Sequence, residues 1–259
     1  MKFLDRKQVE ADYQQGMQNK EFDVYLQPKF DTRSEHIVGA EALIRRNKNG
    51  KQILPQEFIP IYEKTGVITK LDMWVLEQVC KTINKWKKQN YVLFPISVNE
   101  SRRHLYHKKH IKDLEKIIQD YQIPANYIEL EMTESAVVHN IQVAKEAEKK
   151  VHKLGFIVAM DDFGTGYSSF HMLRQIEIDV LKIDKKFSDA VLEDERGKII
   201  LESIIQMAKR LKIRTVAEGI ETKEQVEYLK KIGCDWIQGY YFAKPMPISK
   251  FEEIYLKKE

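Results

Sequence analysis

Val24-Tyr25-Leu26-Gln27-Pro28-Lys29-Phe30 and Ile37-Val38-Gly39-Ala40-Glu41-Ala42-Leu43-Ile44-Arg45 are two apolar runs separated only by Asp31-Thr32-Arg33-Ser34-Glu35-His36. A parallel crossover needs about a dozen residues, usually including a helix. The short connection therefore predicts that the first two strands are antiparallel. Six further runs follow at residues 95–99, 127–131, 157–161, 180–184, 214–218 and 236–241. Helical patterns fill most of the intervals, at 70–88, 109–121, 141–153, 168–175, 195–211 and 223–232, with another helix start at Pro55 and a charged leading helix over 5–20. This alternation predicts an α/β fold, a modified (β/α)8 barrel with one antiparallel strand, over an open doubly wound sheet. The Gly-rich dinucleotide fingerprint is absent.

The runs share a second property: each carries a polar group at or near its end. In order these are Gln27, Glu41 with Arg45, Asn99, Glu131, Asp161 with Asp162, Lys182 with Asp184, Glu218 and Gln238. A barrel gathers its strand ends into one ring, where reaction chemistry sits. Glu and Asn oxygens suit Mg²⁺, Mn²⁺ or Ca²⁺ and disfavour copper or a thiolate zinc site. Two such ions clamp phosphodiester oxygens and make hydroxide from water near neutral pH.

Individual residues sharpen that expectation. Glu129 and Glu131 lie on one side of their strand, opposite Leu130, so one of them faces the mouth. Adjacent Asp161 and Asp162 converge on one site only if the strand bends, which Gly164 and Gly166 permit. Arg45 suits a forked contact to a phosphate oxygen. Burial is expected to lower the pKa of Lys182, suiting it to hold or deprotonate a water; the alternative is a structural Lys182–Asp184 ion pair. Gln238 beside Gly239 allows close approach of a ligand. His104, His107 and His110 are spaced like loose metal ligands, but Lys108 and Lys109 among them favour a solvated face. Trp74, Trp86, Trp236, Met160 and Met172 read as packing residues.

Composition limits the other classes. The chain has 259 residues, 43% of them hydrophobic, and a net charge of +4 with both signs dispersed. That is no nucleic-acid footprint. The longest apolar stretches, residues 91–94 and 156–160, are too short to cross a bilayer. The N-terminus lacks a signal-peptide core. Cys80 and Cys234 read as free thiols in a reducing cytoplasm. No linker divides the chain, so one domain is expected: a leading helix over 1–20, a barrel core over 22–245 and a C-terminal helix over 246–259.

In order, the motifs are Gln27-Pro28, Glu41-Ala42-Leu43 with Arg45, Pro55 with Phe58-Ile59-Pro60, Ser97-Val98-Asn99, Glu131-Met132-Thr133-Glu134, Asp161 to Ser169, Lys182-Ile183-Asp184, Ala217 to Thr222 and Gln238 to Phe242. Together they closely resemble the EAL-domain family of cyclic di-GMP phosphodiesterases, from about Phe22 to Pro245. The resemblance implies two divalent cations, Mg²⁺ or Mn²⁺, with Ca²⁺ inhibitory. It implies that Glu41, Asn99, Glu131 and Asp161 hold one, and that Asp161, Asp162 and Glu218 hold the other. Lys182 would position or deprotonate the attacking water. Gln27, Leu43, Arg45, Asp184 and Gln238 would contact the dinucleotide, Glu134 would anchor the loop at 163–169, and Glu221, like Asp184, would support the site from behind. The implied reaction opens one phosphodiester of cyclic di-GMP to linear 5′-pGpG.

The resemblance also implies a homodimer and, where the chain is part of a longer protein, a sensory or cyclase domain beside it. Two positions depart from the family pattern. Arg46 stands where an aromatic is usual, and Met132 where an aliphatic is common; neither is an implied ligand. A silent receptor or a scaffold would be expected to lack some of the acidic set, and every member is present.

Overall fold

A computed structural model describes residues 5–107, 109–164, 169–185 and 194–257. Strand β1 (Phe22–Asp31) runs antiparallel to β2 (Ile37–Lys48), with Gln27 opposite Glu41. The turn between them is closed by Asp31, whose Oδ1 accepts from the backbone N–H groups of Arg33 and Ser34. β2 then pairs in parallel with β4 (Ile96–Asn99). The order continues through β5 (Ile128–Thr133), β6 (Ile157–Phe163), β7 (Val180–Ile183), β8 (Arg214–Ala217) and β9 (Trp236–Ile237), all parallel. β9 returns to β1, antiparallel, through Phe30 opposite Ile237, and the ring closes. The expected (β/α)8 barrel with one reversed strand is thus the observed fold.

Two short strands lie outside the ring and escape the sequence pattern. β3 (Lys51–Ile53) folds back on β2 after the Asn49-Gly50 turn, and β10 (Met246–Pro247) lies along β1. Among the described residues the longer helices are α1 (Arg6–Gln18), α2 (Pro55–Thr65), α3 (Ile68–Lys88), α4 (His110–Asp120), α5 (Glu134–His139), α6 (Ile141–Lys153), α7 (Ser169–Gln175), α8 (Glu195–Arg210), α9 (Lys223–Ile232) and α10 (Ile248–Tyr255). Local chemistry sets several ends. Asn140 Oδ1 accepts from Val143 N–H at 3.2 Å to start α6, Thr222 and Gln225 form a capping box on α9, and Gly233 ends α9 at φ 84°. None of the described helices is long and apolar enough to cross a membrane.

Apolar residues form two cores. The larger packs the helices on the outside of the barrel, with Trp86 fully buried against Phe94 and Phe251. The smaller fills the barrel floor with Ala159, Val180, Val216 and Trp236. Above that floor the interior turns polar, beginning with Lys29 and Glu129.

Two sequence expectations are corrected. The run 236–241 is strand only at Trp236–Ile237. Beyond it the Gly239 carbonyl accepts from Phe242 and Ala243, which turns the chain away from the ladder. His104 and His110 are not a solvated face. Both are 5% exposed, because a 3₁₀ turn (Arg102–Tyr106) carries His104 inward, where its ring centroid stands 4.2 Å from that of His110.

Candidate active site

The strand ends bring one ammonium group into a ring of carboxylates. Lys182 Nζ on β7 lies 2.7 Å from Glu131, 2.8 Å from Glu218, 3.1 Å from Asp161 and 3.8 Å from Glu41. The alternation of β5 turns both Glu129 and Glu131 inward. Glu129 sits deeper, where buried Lys29 holds it at 2.9 Å and reaches the second oxygen of Glu131 at 3.4 Å. Glu129, Glu131 and Lys29 are each 1% exposed.

Mutual influence sets the charge states. Burial pushes the Lys182 pKa down, but Asp161, Glu131, Glu218 and Glu41 outweigh it and hold the pKa well above the lysine norm. The expected lowering is therefore reversed by the carboxylates. Glu131 is held below its ordinary value: burial raises it, and Lys182 and Lys29 more than compensate. Burial, with the charges of Asp161, Glu41 and Glu131, pushes Glu218 up to about 8 against the pull of Lys182. Burial and Asp161 likewise raise Asp162.

Asp161 and Asp162 reach the same side because β6 bends, as their adjacency requires. The register with β7 slips between Met160 and Phe163, and Asp162 itself adopts φ 58°. The bend falls on the aspartate, with Gly164 following at φ 98°; Gly166 lies outside the described residues. Backbone strain of this kind, of order 1–3 kcal/mol, collects at working sites. Glu134, 2% exposed, accepts from Gly164 N–H at 3.3 Å and so holds the start of the loop. Asp184, just past β7, raises the Asp162 carboxyl through its charge. Glu221 lies farther out, paired with Lys185.

The antiparallel pair β1–β2 adds an amide edge. Gln238 Nε2 donates to Glu41 Oε2 at 2.6 Å and to Gln27 Oε1 at 3.2 Å, and Asn99 Nδ2 donates to Glu41 Oε1 at 3.2 Å. Among the described residues Gln238 Oε1 has no hydrogen-bond partner although it is buried. Gly239 is required by the chain's own packing. A Cβ there would stand 2.0 Å from the Ile220 carbonyl oxygen, so the glycine lets two chain segments touch. Leu43 and Arg45 line an adjoining cavity of about 300 Å³ together with Ile59, Asp72, Asn99 and Glu100. Arg45 stands over the Tyr25 ring at 5.5 Å. Arg46, one residue on, points the other way. It binds Asp12 of α1 through both terminal nitrogens, at 2.6 and 3.0 Å, and also Glu21 and Tyr62. The departure from the family pattern is thus a clamp on α1, away from Arg45's cavity.

Among the described residues no three acidic, imidazole or thiol groups stand pre-set as a metal cage; the acids gather about Lys182 instead. The donor set nevertheless fits hard divalent cations. Six carboxylates (Glu41, Glu129, Glu131, Asp161, Asp162, Glu218) face two ammonium groups, Lys29 and Lys182, and the raised pKa values of Glu41, Glu129, Asp162 and Glu218 mark acids crowded enough that a divalent cation would favour their ionised, ligating form.

A sequence model of the EAL domain matches residues 10–245. The chain belongs to the EAL domain family. The signaling protein YkoW of Bacillus subtilis is 34% identical over 245 residues, which is 94% of this chain and 30% of that protein. The cyclic di-GMP phosphodiesterase NbdA of Pseudomonas aeruginosa is 31% identical over 247 residues, 95% of this chain and 32% of that protein. The chain thus spans less than a third of either relative. The solved structure of the PaMucR phosphodiesterase in complex with c-di-GMP superposes with a TM-score of 0.88 at 29% identity, covering 94% of this chain and 99% of the other.

Within this EAL barrel the ring of strand-end groups was readable beforehand, and the structure brings Gln27, Glu41, Asn99, Glu131, Asp161, Lys182, Glu218 and Gln238 together as anticipated. Sequence reasoning missed Lys29, although a lysine inside an apolar run is the same signal that picked out Lys182. It also missed Asp72 and Glu100, which lie in a helix and just past a strand with nothing local to mark them as buried.

Proposed function

We propose that the chain hydrolyses cyclic di-GMP, opening one phosphodiester to give linear 5′-pGpG. The observation that carries this is the ring of four carboxylates around Lys182 at the barrel mouth, in a family whose relatives include cyclic di-GMP phosphodiesterases. Glu41, Asn99, Glu131 and Asp161 would hold one divalent cation, and Asp161, Asp162 and Glu218 a second. Mg²⁺ or Mn²⁺ bound there would neutralise phosphodiester oxygens and acidify water.

The protein's own groups do the rest. The Lys182 ammonium orients the attacking water by donating to it and offsets phosphate charge. Arg45 forks onto a phosphate oxygen. Gln27 and Gln238 present amides to the dinucleotide, and the cavity by Leu43 and Arg45 takes part of it. Asp184 contributes to the substrate side, and Glu221 supports the loop through Lys185. The same reading makes residues 1–259 one domain, places it in the cytoplasm, and pairs it as a homodimer, with a sensory or cyclase domain as neighbour in a longer protein.

The test is chromatography of cyclic di-GMP incubated with the purified chain. Linear pGpG formed in Mg²⁺ or Mn²⁺ and lost with excess EDTA supports the reading. Ca²⁺ should permit binding with poor turnover, because its flexible coordination blurs the spacing of the two cations. Binding without product in every metal would replace the phosphodiesterase reading with a receptor.

A further inference from the structure

Behind Asn99 lies a buried charged cluster that the reaction as described leaves unused. Asp72 of α3 and Glu100, the residue after Asn99, both line the cavity that holds Arg45. Each carboxylate has its own imidazole. Asp72 Oδ2 lies 3.1 Å from His104 Nε2, and Glu100 Oε1 lies 2.9 Å from His110 Nε2. The second is a close polar contact without the alignment of a full hydrogen bond. The two rings pack against each other at 4.2 Å, so the couples form one unit. Burying four ionisable groups is unfavourable unless they are mutually paired. An apolar quartet of similar volume would pack as well. The cluster is therefore better explained by what it holds.

What it holds is the backbone that leaves β4. Asp72 Oδ2 also accepts from Ser101 N–H at 3.1 Å. Glu100 N–H donates to the Glu131 carbonyl at 3.0 Å, which ties the same segment to β5. Arg103, two residues on, donates to the Glu63 and Lys64 carbonyls at the end of α2, at 2.6 and 3.0 Å. Asn99 ends β4 in register with Glu131 of β5 and is exposed at the mouth, and among the described residues its side chain hydrogen-bonds Glu41. The ladder stops there, so the direction of its amide also depends on how the residues that follow it are held.

We infer that the Asp72–His104 and Glu100–His110 couples are positioning residues for Asn99, locking the Asn99–Ser101 backbone so that the amide faces Glu41 and the cation they share. The inference rests on the proposed function only in taking Asn99 as a ligand. Groups behind metal ligands commonly set affinity by orienting them, and removing one typically lowers metal affinity or activity about 10- to 100-fold.

The experiment titrates Mn²⁺ into the full chain by calorimetry and records thermal unfolding, kcat and KM alongside. His110→Phe and Asp72→Ala should weaken Mn²⁺ binding about 10-fold or more while the protein remains folded. His110→Gln keeps a donor for Glu100, and Asp72→Asn keeps an acceptor for Ser101; both should stay within about three-fold of the natural chain. In an Asn99→Ala background the His110→Phe effect should largely vanish, since the two act on one ligand. A role confined to packing would lower the melting temperature and leave Mn²⁺ affinity and that non-additivity unmoved; this outcome overturns the inference. If His110→Phe or Asp72→Ala does not fold, Glu100→Met decides, because it keeps the length of the side chain and removes the acceptor that faces His110. Several-fold weaker Mn²⁺ binding at unchanged melting temperature supports the inference, and unchanged binding overturns it. A natural chain that binds neither Mn²⁺ nor cyclic di-GMP would instead remove the proposed function, and this inference with it.

Discussion

Lys182 Nζ and Glu131 Oε2 lie 2.7 Å apart at the centre of the barrel mouth, both 1% exposed. The pair does two jobs. It holds Glu131 ionised, and in the proposed reaction it keeps an ammonium group beside the attacking water and the phosphate. Lys182→Ala should therefore lower turnover by about 10²–10⁴ with much less effect on substrate affinity, as expected of a group acting on the reacting water. Steady-state kinetics with a parallel cyclic di-GMP titration separates the two. Equal losses in kcat and affinity would remove Lys182 from the chemical step.

Beneath this pair, Lys29 bridges Glu129 at 2.9 Å and Glu131 at 3.4 Å. Removing one partner of a buried ion pair leaves an uncompensated charge. Lys29→Met should destabilise the chain by roughly 3–5 kcal/mol, whereas Lys29→Met with Glu129→Leu should recover much of that. Urea unfolding of the two variants measures it. A single variant as stable as the natural chain would show that Glu129 is already neutral.

Gly239 is fixed by close approach. A Cβ would meet the Ile220 oxygen at 2.0 Å and its nitrogen at 2.3 Å, and these are backbone atoms that cannot swing aside. Gly239→Ala should destabilise by about 1–3 kcal/mol through forced displacement. It should also weaken activity, because Gln238 and Glu218 flank the contact. Thermal unfolding together with the hydrolysis assay checks both, and an unshifted melt would contradict the geometry.

The antiparallel start of the barrel was legible because a six-residue connection admits no crossover. The acidic ring was legible because strand ends must converge in a closed barrel. What stayed hidden depends on tertiary contact. No local pattern marks β3 or β10, which exist only by pairing with longer strands. The His104–His110 stack was misread as a wet face because its carboxylate partners, Asp72 and Glu100, come from α3 and the exit of β4. The Lys182 pKa was expected to fall because a sequence shows burial more readily than four converging charges.

Away from the site, His152 bridges Glu148 and Asp179. The hydrogen bond to Asp179, with help from Glu148 and against burial, pushes its pKa from 6.5 up to about 9. Between those values the folded chain holds a proton that the unfolded chain has lost, so stability falls as pH rises. The contribution is fully present below about pH 6.5 and lost through pH 9. His152→Gln should flatten this slope, so its melting temperature should differ most from the natural chain at pH 6 and least above pH 9. A constant difference across that range would show that the bridge is insensitive to protonation.

Glu134 connects the loop to the acids. It sits at the first turn of α5 with 2% exposure and accepts from Gly164 N–H, two residues past Asp162. Asp162 holds φ 58°, an uncommon left-handed conformation that aspartate tolerates better than most residues, and the hold on the loop after it helps to keep the bend in place. Glu134 supplies part of that hold. Glu134→Ala would free Gly164, let Asp162 relax toward ordinary strand geometry, and separate its carboxylate from Asp161. Glu134→Gln keeps an acceptor for the same N–H. Turnover in Mn²⁺ should therefore fall about 10-fold or more in Glu134→Ala and far less in Glu134→Gln. Because the loss arises through Asp162, added Mn²⁺ should partly restore Glu134→Ala. Normal turnover in Glu134→Ala, or a loss that no Mn²⁺ concentration relieves, would break the link from Glu134 to the cation site.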